Sequence, residues 1–229
     1  MNSDPSRRGA LLASLGLGAG LTLAACAKTE AGEISATEDL MREHGVLRRI
    51  LVVYREAAPK LRGASGQVDA AALGLAAELF QQFGEDYHER RLEEQHIFPA
   101  VAKTGGEAAA WVGTLLAQHQ RGREITAYIR GKTDGGVIGD SGALADALES
   151  FARMYEAHTA YEDTIVFQAW RKSLSPRALD EAGDQFEAIE RQQFKGDGFD
   201  MAVNRISNIE QRLGLHDLGR FTAPQPGSG

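Results

Sequence analysis

The chain has 229 residues, 43% of them hydrophobic and 25% charged, which is enough for one well-buried domain. Its formal net charge of −7 excludes nucleic acid as the main partner, because phosphate binding needs a cationic face. A single cysteine excludes an intrachain disulfide and a Cys-x-x-Cys metal site, so any bound metal must rest on histidine and carboxylate.

Residues 1–25 read as an export signal. Ser6-Arg7-Arg8 precedes a run of small and apolar residues from Ala10 to Ala25, too short and too weakly hydrophobic for a membrane span. The arginine pair resembles a twin-arginine signal, and Leu23-Ala24-Ala25-Cys26 resembles a bacterial lipobox. That resemblance implies cleavage before Cys26 and a lipid on its sulfur. The protein is then expected to be a periplasmic or cell-envelope lipoprotein, touching membrane only through that anchor. Residues 26–36, small and polar, read as a tether.

Ser35-Ala36-Thr37-Glu38 fits a capping box. It predicts a helix to about Ala58, stopped by Pro59. Leu40, His44, Leu47, Leu51, Tyr54 and Ala58 recur at three- and four-residue steps and form its apolar stripe. A second helix is predicted from about Val68 to Pro99, with Leu73, Ala77, Phe80, Gly84 and His88 on one face. Gly105-Gly106 separates it from a third, from about Glu107 to Arg130, whose stripe includes Leu115, His119, Gly122 and Ile129. After the Gly/Asp-rich stretch 131–142, a fourth helix runs from about Ala143 to Arg171, with Leu148, Phe151, Tyr155, His158 and Glu162 in line. No β pattern competes.

Short connections between four long amphipathic helices predict an all-α, up-down antiparallel four-helix bundle over residues 37–172. Two less apolar helices follow within 173–215, one opened by Ser175-Pro176 and one after Gly196-Asp197-Gly198. They are expected to pack on the outside of the bundle. Residues 216–229 read as a polar tail.

Within the bundle the sequence repeats. When Phe98 is aligned with Phe167, Glu93 falls on Glu162, Glu94 on Asp163 and Ile97 on Val166. Each helix carries one histidine in its stripe: His44, His88, His119 and His158. Burying four imidazoles and two carboxylates without partners costs several kcal/mol per group, at an order-of-magnitude level. A metal cluster removes that cost. His158-x3-Glu162 places both side chains one turn apart on one face. His88-x4-Glu93 leaves its pair about 140° apart on a regular α-helix. An extra residue absorbed in a π-turn restores the common face. Glu93 is therefore the expected helix-two ligand, with Glu89 and Glu94 as alternatives. Imidazole with bridging carboxylate suits iron, then manganese or zinc. Six ligands for two metals leave open positions for dioxygen, nitric oxide or peroxide.

Glu43-His44, the segment His88 to Pro99, Gln118-His119 and His158-x3-Glu162-Asp163 together resemble the hemerythrin family in its bacterial HHE cation-binding form, over about residues 35–172. The resemblance implies a non-haem di-iron centre. His44 and His88 would hold one iron, His119 and His158 the other, with Glu93 and Glu162 bridging. Asp163 is the alternative bridge. Oxygen-carrying members place another histidine four residues after the helix-three histidine. Arg123 stands there instead, which implies a more open site. The expected function is binding of a small oxidant for sensing, storage or scavenging. Two other functions fit the same residues: a peroxidase- or oxidase-type di-iron enzyme, and a metal-poor, membrane-anchored interaction module.

Overall fold

The computed structural model describes residues 34–63, 68–138 and 140–227. The export signal over 1–25, Cys26 and the tether as far as residue 33 lie outside the described residues. So do 64–67 of the first loop. Among the described residues every regular element is helical and there is no strand. No described helix is long and apolar enough to cross a membrane.

Helix α1 (Ala36–Arg62) starts where Ser35 caps it, its side chain accepting from the Glu38 amide. It runs past Pro59, the expected stop. Proline removes one intrahelical amide, and in the last turn that loss is small. Burial of Leu61 keeps the turn in place, and the Gly63 amide closes it by donating to the Pro59 and Lys60 carbonyls.

Helix α2 spans 70–104 and changes pitch twice. Ala70–Leu79 is α-helical and capped by Asp69, Phe80–Ile97 is π-helical, and Phe98–Thr104 is α-helical again. Pro99 does not end this helix either. It sits in the first turn after the π-segment, where an amide is already without an α-helical partner. Gly105 then breaks the chain in one residue, at φ 70° and ψ −168°, a region that favours glycine.

Helix α3 (Gly106–Thr133) runs three residues past its expected end. Gly135 and Gly136, both at positive φ, turn the chain, and Asp140 caps helix α4. Helix α4 spans 141–173 and contains a π-turn at Glu162–Val166, which no spacing in the sequence announces. Helices α5 (Pro176–Phe194) and α6 (Gly198–Leu213) follow.

Helix α1 packs along α4, and α2 along α3. Phe80, Phe151 and Tyr155 meet in the core, with ring centroids 4.6–4.8 Å apart. Helix α6 lies on α1 and α2 through Ala202, Ile206 and Ile209, and ties its rim with an Arg49–Glu210 ion pair. Helix α5 buries only Phe186, which stacks on Trp170 at 5.6 Å.

Candidate metal centre

The π-segment of α2 decides what its side chains can reach. In that geometry residues five apart, rather than four, share a face. His88 and Glu93 are five apart, and so are Glu89 and Glu94. The Phe98 amide donates to the Glu93 carbonyl, the five-residue hydrogen bond that marks this widening. Glu93 accordingly lies beside His88, its Oε1 3.3 Å from His88 Nε2. On α4, His158 and Glu162 are four apart in α-helix and meet at 3.0 Å.

All six residues expected as ligands come together, and none is more than 3% exposed. His44 Nε2 lies 2.9 Å from His88 Nε2, and His119 Nε2 lies 3.1 Å from His158 Nε2. Glu93 spans the two pairs, with its other oxygen 3.3 Å from His119 Nε2. Glu162 does the same, 3.5 Å from His44 and 4.0 Å from His119. Besides a group of Glu89, Glu94 and His119, two clusters drawn from these six residues have atoms close enough to share an ion. One is Glu93, His119, His158 and Glu162; the other is His44, His88 and Glu93.

The outer nitrogens follow a crossed rule. The residue preceding each odd-helix histidine serves the even-helix histidine. Glu43 Oε2 is 2.5 Å from His88 Nδ1, and Gln118 Oε1 is 2.9 Å from His158 Nδ1. The acid following each central glutamate serves the odd-helix histidine. Glu94 is 2.9 Å from His119 Nδ1, and Asp163 is 2.7 Å from His44 Nδ1. These acceptors take the Nδ1 proton, so each imidazole in its neutral form turns an Nε2 lone pair to the centre. Glu94 and Asp163 are therefore placed on the outside of the imidazoles, and Glu89 is placed further off, held by Tyr155 and Arg123.

A dication fits this arrangement. All four carboxylate oxygens of Glu93 and Glu162 are buried and without a hydrogen-bond partner. The Nε2 atoms of paired imidazoles face each other at 2.9 and 3.1 Å. Two nitrogens about 2.1 Å from one metal and at right angles to it would be about 3.0 Å apart.

Burial opposes a charge on His88 and His119, but the surrounding carboxylates outweigh it and push both imidazoles well above their usual range, so a metal must displace those protons. Burial and the Glu93 charge push the Glu162 carboxyl well above the usual range. Burial also opposes the Glu93 charge, but His88 and His119 outweigh it and hold that group well below. Burial and neighbouring His119 depress His158 to about 3, so its imidazole is neutral, the form that binds metal. Glu94 is pulled down to about 2, first by its bond to His119 and then by Arg123, against the effect of burial. A cation between Glu93 and Glu162 removes their mutual repulsion.

Several groups around the centre take roles that spacing along the chain does not reveal. Glu43 and Gln118 stand out in the sequence only as neighbours of a histidine. Their signal is an acceptor directly before each odd-helix histidine, but the crossing to the next helix is a tertiary fact. Phe167 stacks on His44 at 5.3 Å and Phe98 on His119 at 5.4 Å. These two rings are the equivalent positions of the repeat. Arg123 points inward at Glu89 and Glu94, not at Glu93. Tyr87 donates to Glu43 at 2.9 Å and Tyr155 to Glu89 at 2.7 Å. His96 packs on Phe186, away from the centre, and His216 is exposed.

Residues 35–170 match the family model described as the hemerythrin HHE cation binding domain. Two uncharacterized proteins, one from Mycobacterium tuberculosis (strain H37Rv) and one from Mycobacterium bovis, are each 40% identical over 192 residues, covering 82% of this chain and 74% of theirs. No solved structure matches.

Proposed function

Since the chain belongs to the hemerythrin HHE cation-binding family, we propose that it holds a non-haem di-iron centre that binds dioxygen, nitric oxide or peroxide for sensing, storage or scavenging. The supporting observation is the convergence of four imidazole Nε2 atoms on four buried, unpartnered carboxylate oxygens. His44 and His88 would hold one ion, His119 and His158 the other, and Glu93 and Glu162 would bridge. When bound, the ions supply open coordination positions and electrons for a small oxidant.

The chain's own residues do the rest. Glu43, Glu94, Asp163 and Gln118 orient the imidazoles and fix their tautomer. Phe98 and Phe167 cover the His119 and His44 rings and keep water out. Arg123, placed where oxygen carriers have a further histidine, brings no nitrogen ligand and instead neutralises Glu89 and Glu94. That substitution favours a more open second metal position. Helices α1–α4, joined by a one-residue break at Gly105 and a short turn at Gly135-Gly136, are read as an up-down antiparallel bundle, with α5 and α6 on its outside.

In the same proposal, the signal-like residues 1–25 and the lipobox-like Cys26 support a cell-envelope location for this function. The test is the visible spectrum of the iron-loaded chain, reduced and then exposed to dioxygen, nitric oxide or hydrogen peroxide. A ligand-dependent absorption band with one ligand per centre supports binding. Unchanged spectra with all three exclude it. Sustained turnover of peroxide with a reductant would make the protein an enzyme instead.

A further inference from the structure

The four imidazoles are not anchored alike. Carboxylates hold Nδ1 of His44, His88 and His119, whereas the neutral amide oxygen of Gln118 holds His158. Hydrogen bonds to an ionised acceptor are roughly twice as strong as neutral ones. His158 is therefore the imidazole with the weakest outer support.

It also borders a cavity. A space of about 110 Å3 opens between α3 and α4, lined by Trp111, Leu115, Gln118, Ala157, His158 and Tyr161. Two other cavities among the described residues, near Gly74 and Gly136 and between α1 and Leu215, touch none of the six expected ligands. Trp111 and Tyr161 meet edge to face at 4.9 Å and form one wall. No charged side chain lines the space. Of the polar residues of its lining, Thr114, Gln118 and Tyr161 are uncharged, and His158 is held neutral by burial and neighbouring His119. Thr114 and Ala157, both exposed, stand at the rim. A water molecule takes about 30 Å3, so the space admits a diatomic molecule and excludes an organic substrate of cofactor size. An uncharged, largely apolar wall disfavours anions.

We propose that this cavity is the entry port through which a neutral diatomic gas, dioxygen or nitric oxide, reaches the centre, with the His158–Gln118 pair as its inner wall. The proposal rests on the metal-centre reading above and adds to it a route.

Trp111 and Trp170 are the only tryptophans, so Trp170→Phe leaves Trp111 as a reporter inside the port. In the metal-free full chain, dioxygen should quench Trp111 fluorescence. Ala157→Leu and Thr114→Leu, which fill the rim without touching the core, should lower the quenching constant at least about threefold. In the iron-loaded chain the same two variants should slow gas association about tenfold, with iron content unchanged. Running dioxygen and nitric oxide separately identifies the gas. Gln118→Glu, a stronger outer anchor, should slow association while leaving quenching unaltered. Unchanged association rates in both rim variants, with quenching reduced, would overturn the port and leave the metal centre standing. Failure of the loaded wild type to bind either gas would overturn both port and ligand class. Iron content, measured on the same samples, distinguishes either result from loss of the centre itself.

Discussion

Glu43 Oε2 lies 2.5 Å from His88 Nδ1, although Glu43 adjoins His44 in sequence and His88 is on another helix. The bond ties α1 to α2 and sets the direction of the Nε2 that faces Glu93. The other Glu43 oxygen accepts from Tyr87 at 2.9 Å, so the carboxylate is itself held in place. Glu43→Ala should therefore lower metal affinity about 10–100-fold, the usual effect of removing such an orienting acceptor. Glu43→Gln, which keeps an acceptor oxygen, should lose less. Competitive metal titration of the purified chain measures both. Equal affinity in Glu43→Ala would mean that the bond does not orient the ligand.

Gly122 makes room for Tyr155. A Cβ built on residue 122 would overlap the Tyr155 hydroxyl and stand 2.8 Å from the ring carbon that bears it. That hydroxyl donates to Glu89 at 2.7 Å, so it cannot withdraw without breaking a buried hydrogen bond. Gly122→Ala should destabilise the fold by about 1–3 kcal/mol, the range for overpacking a tight core. Adding Tyr155→Phe removes the closer contact but not the ring carbon. The double variant should recover only part of the loss relative to Tyr155→Phe alone. Chemical denaturation of the four chains in a double-mutant cycle reads the coupling.

Glu85 gives a pH dependence with a definite sign. Burial raises its carboxyl to about 7, and one of its oxygens has no partner. The unfolded chain loses this proton near pH 4.5, whereas the folded chain keeps it until about pH 7. Between those values the folded state binds more protons, so its stability falls as pH rises. Below pH 4.5 the contribution is fully present; above pH 7 it has gone. Glu85→Gln removes this slope. Relative to wild type it should gain stability between pH 5 and pH 8, by up to about 3 kcal/mol, since each tenfold difference in proton affinity is worth roughly 1.4 kcal/mol. Identical pH profiles for the two chains would show that Glu85 is not held neutral by the fold.

The stripes of α1, α3 and α4 are legible because one buried face repeats at helical spacing, and His44, His119 and His158 lie within those stripes. The extra residue between His88 and Glu93 is also legible, because the repeat in 157–168 exposes it. The π-turn at Glu162–Val166 is not. His158 and Glu162 already sit at α-helical spacing, so nothing in the pattern requires a wider turn after them. The helix ends expected at Pro59 and Pro99 fail for a shared reason. Proline marks the loss of one amide, and both sites are places where the helix tolerates that loss. The partners of the outer nitrogens are out of reach of sequence reasoning, since each bond crosses between helices. Glu43 reaches 45 positions along the chain and Asp163 reaches 119.

Metal removal should be felt in stability as well as in colour. Chelation leaves Glu93 and Glu162 buried together with no hydrogen-bond partner on any of their four oxygens, where each unsatisfied group costs several kcal/mol, at an order-of-magnitude level. The melting temperature should fall on chelation and return on adding iron back, by the mass-action effect of a ligand that binds only the folded chain. Scanning calorimetry before and after chelation tests this. An unchanged melting temperature would favour a centre that plays no part in the fold.

The most direct test of the di-metal centre is metal analysis of the purified full-length chain beside His119→Ala and His158→Ala. Two ions per wild-type chain are expected, with at most one retained in either variant and an altered optical spectrum in both. A wild-type chain that binds no metal, or variants that match it in metal content and spectrum, would contradict the assignment of these residues to a metal centre.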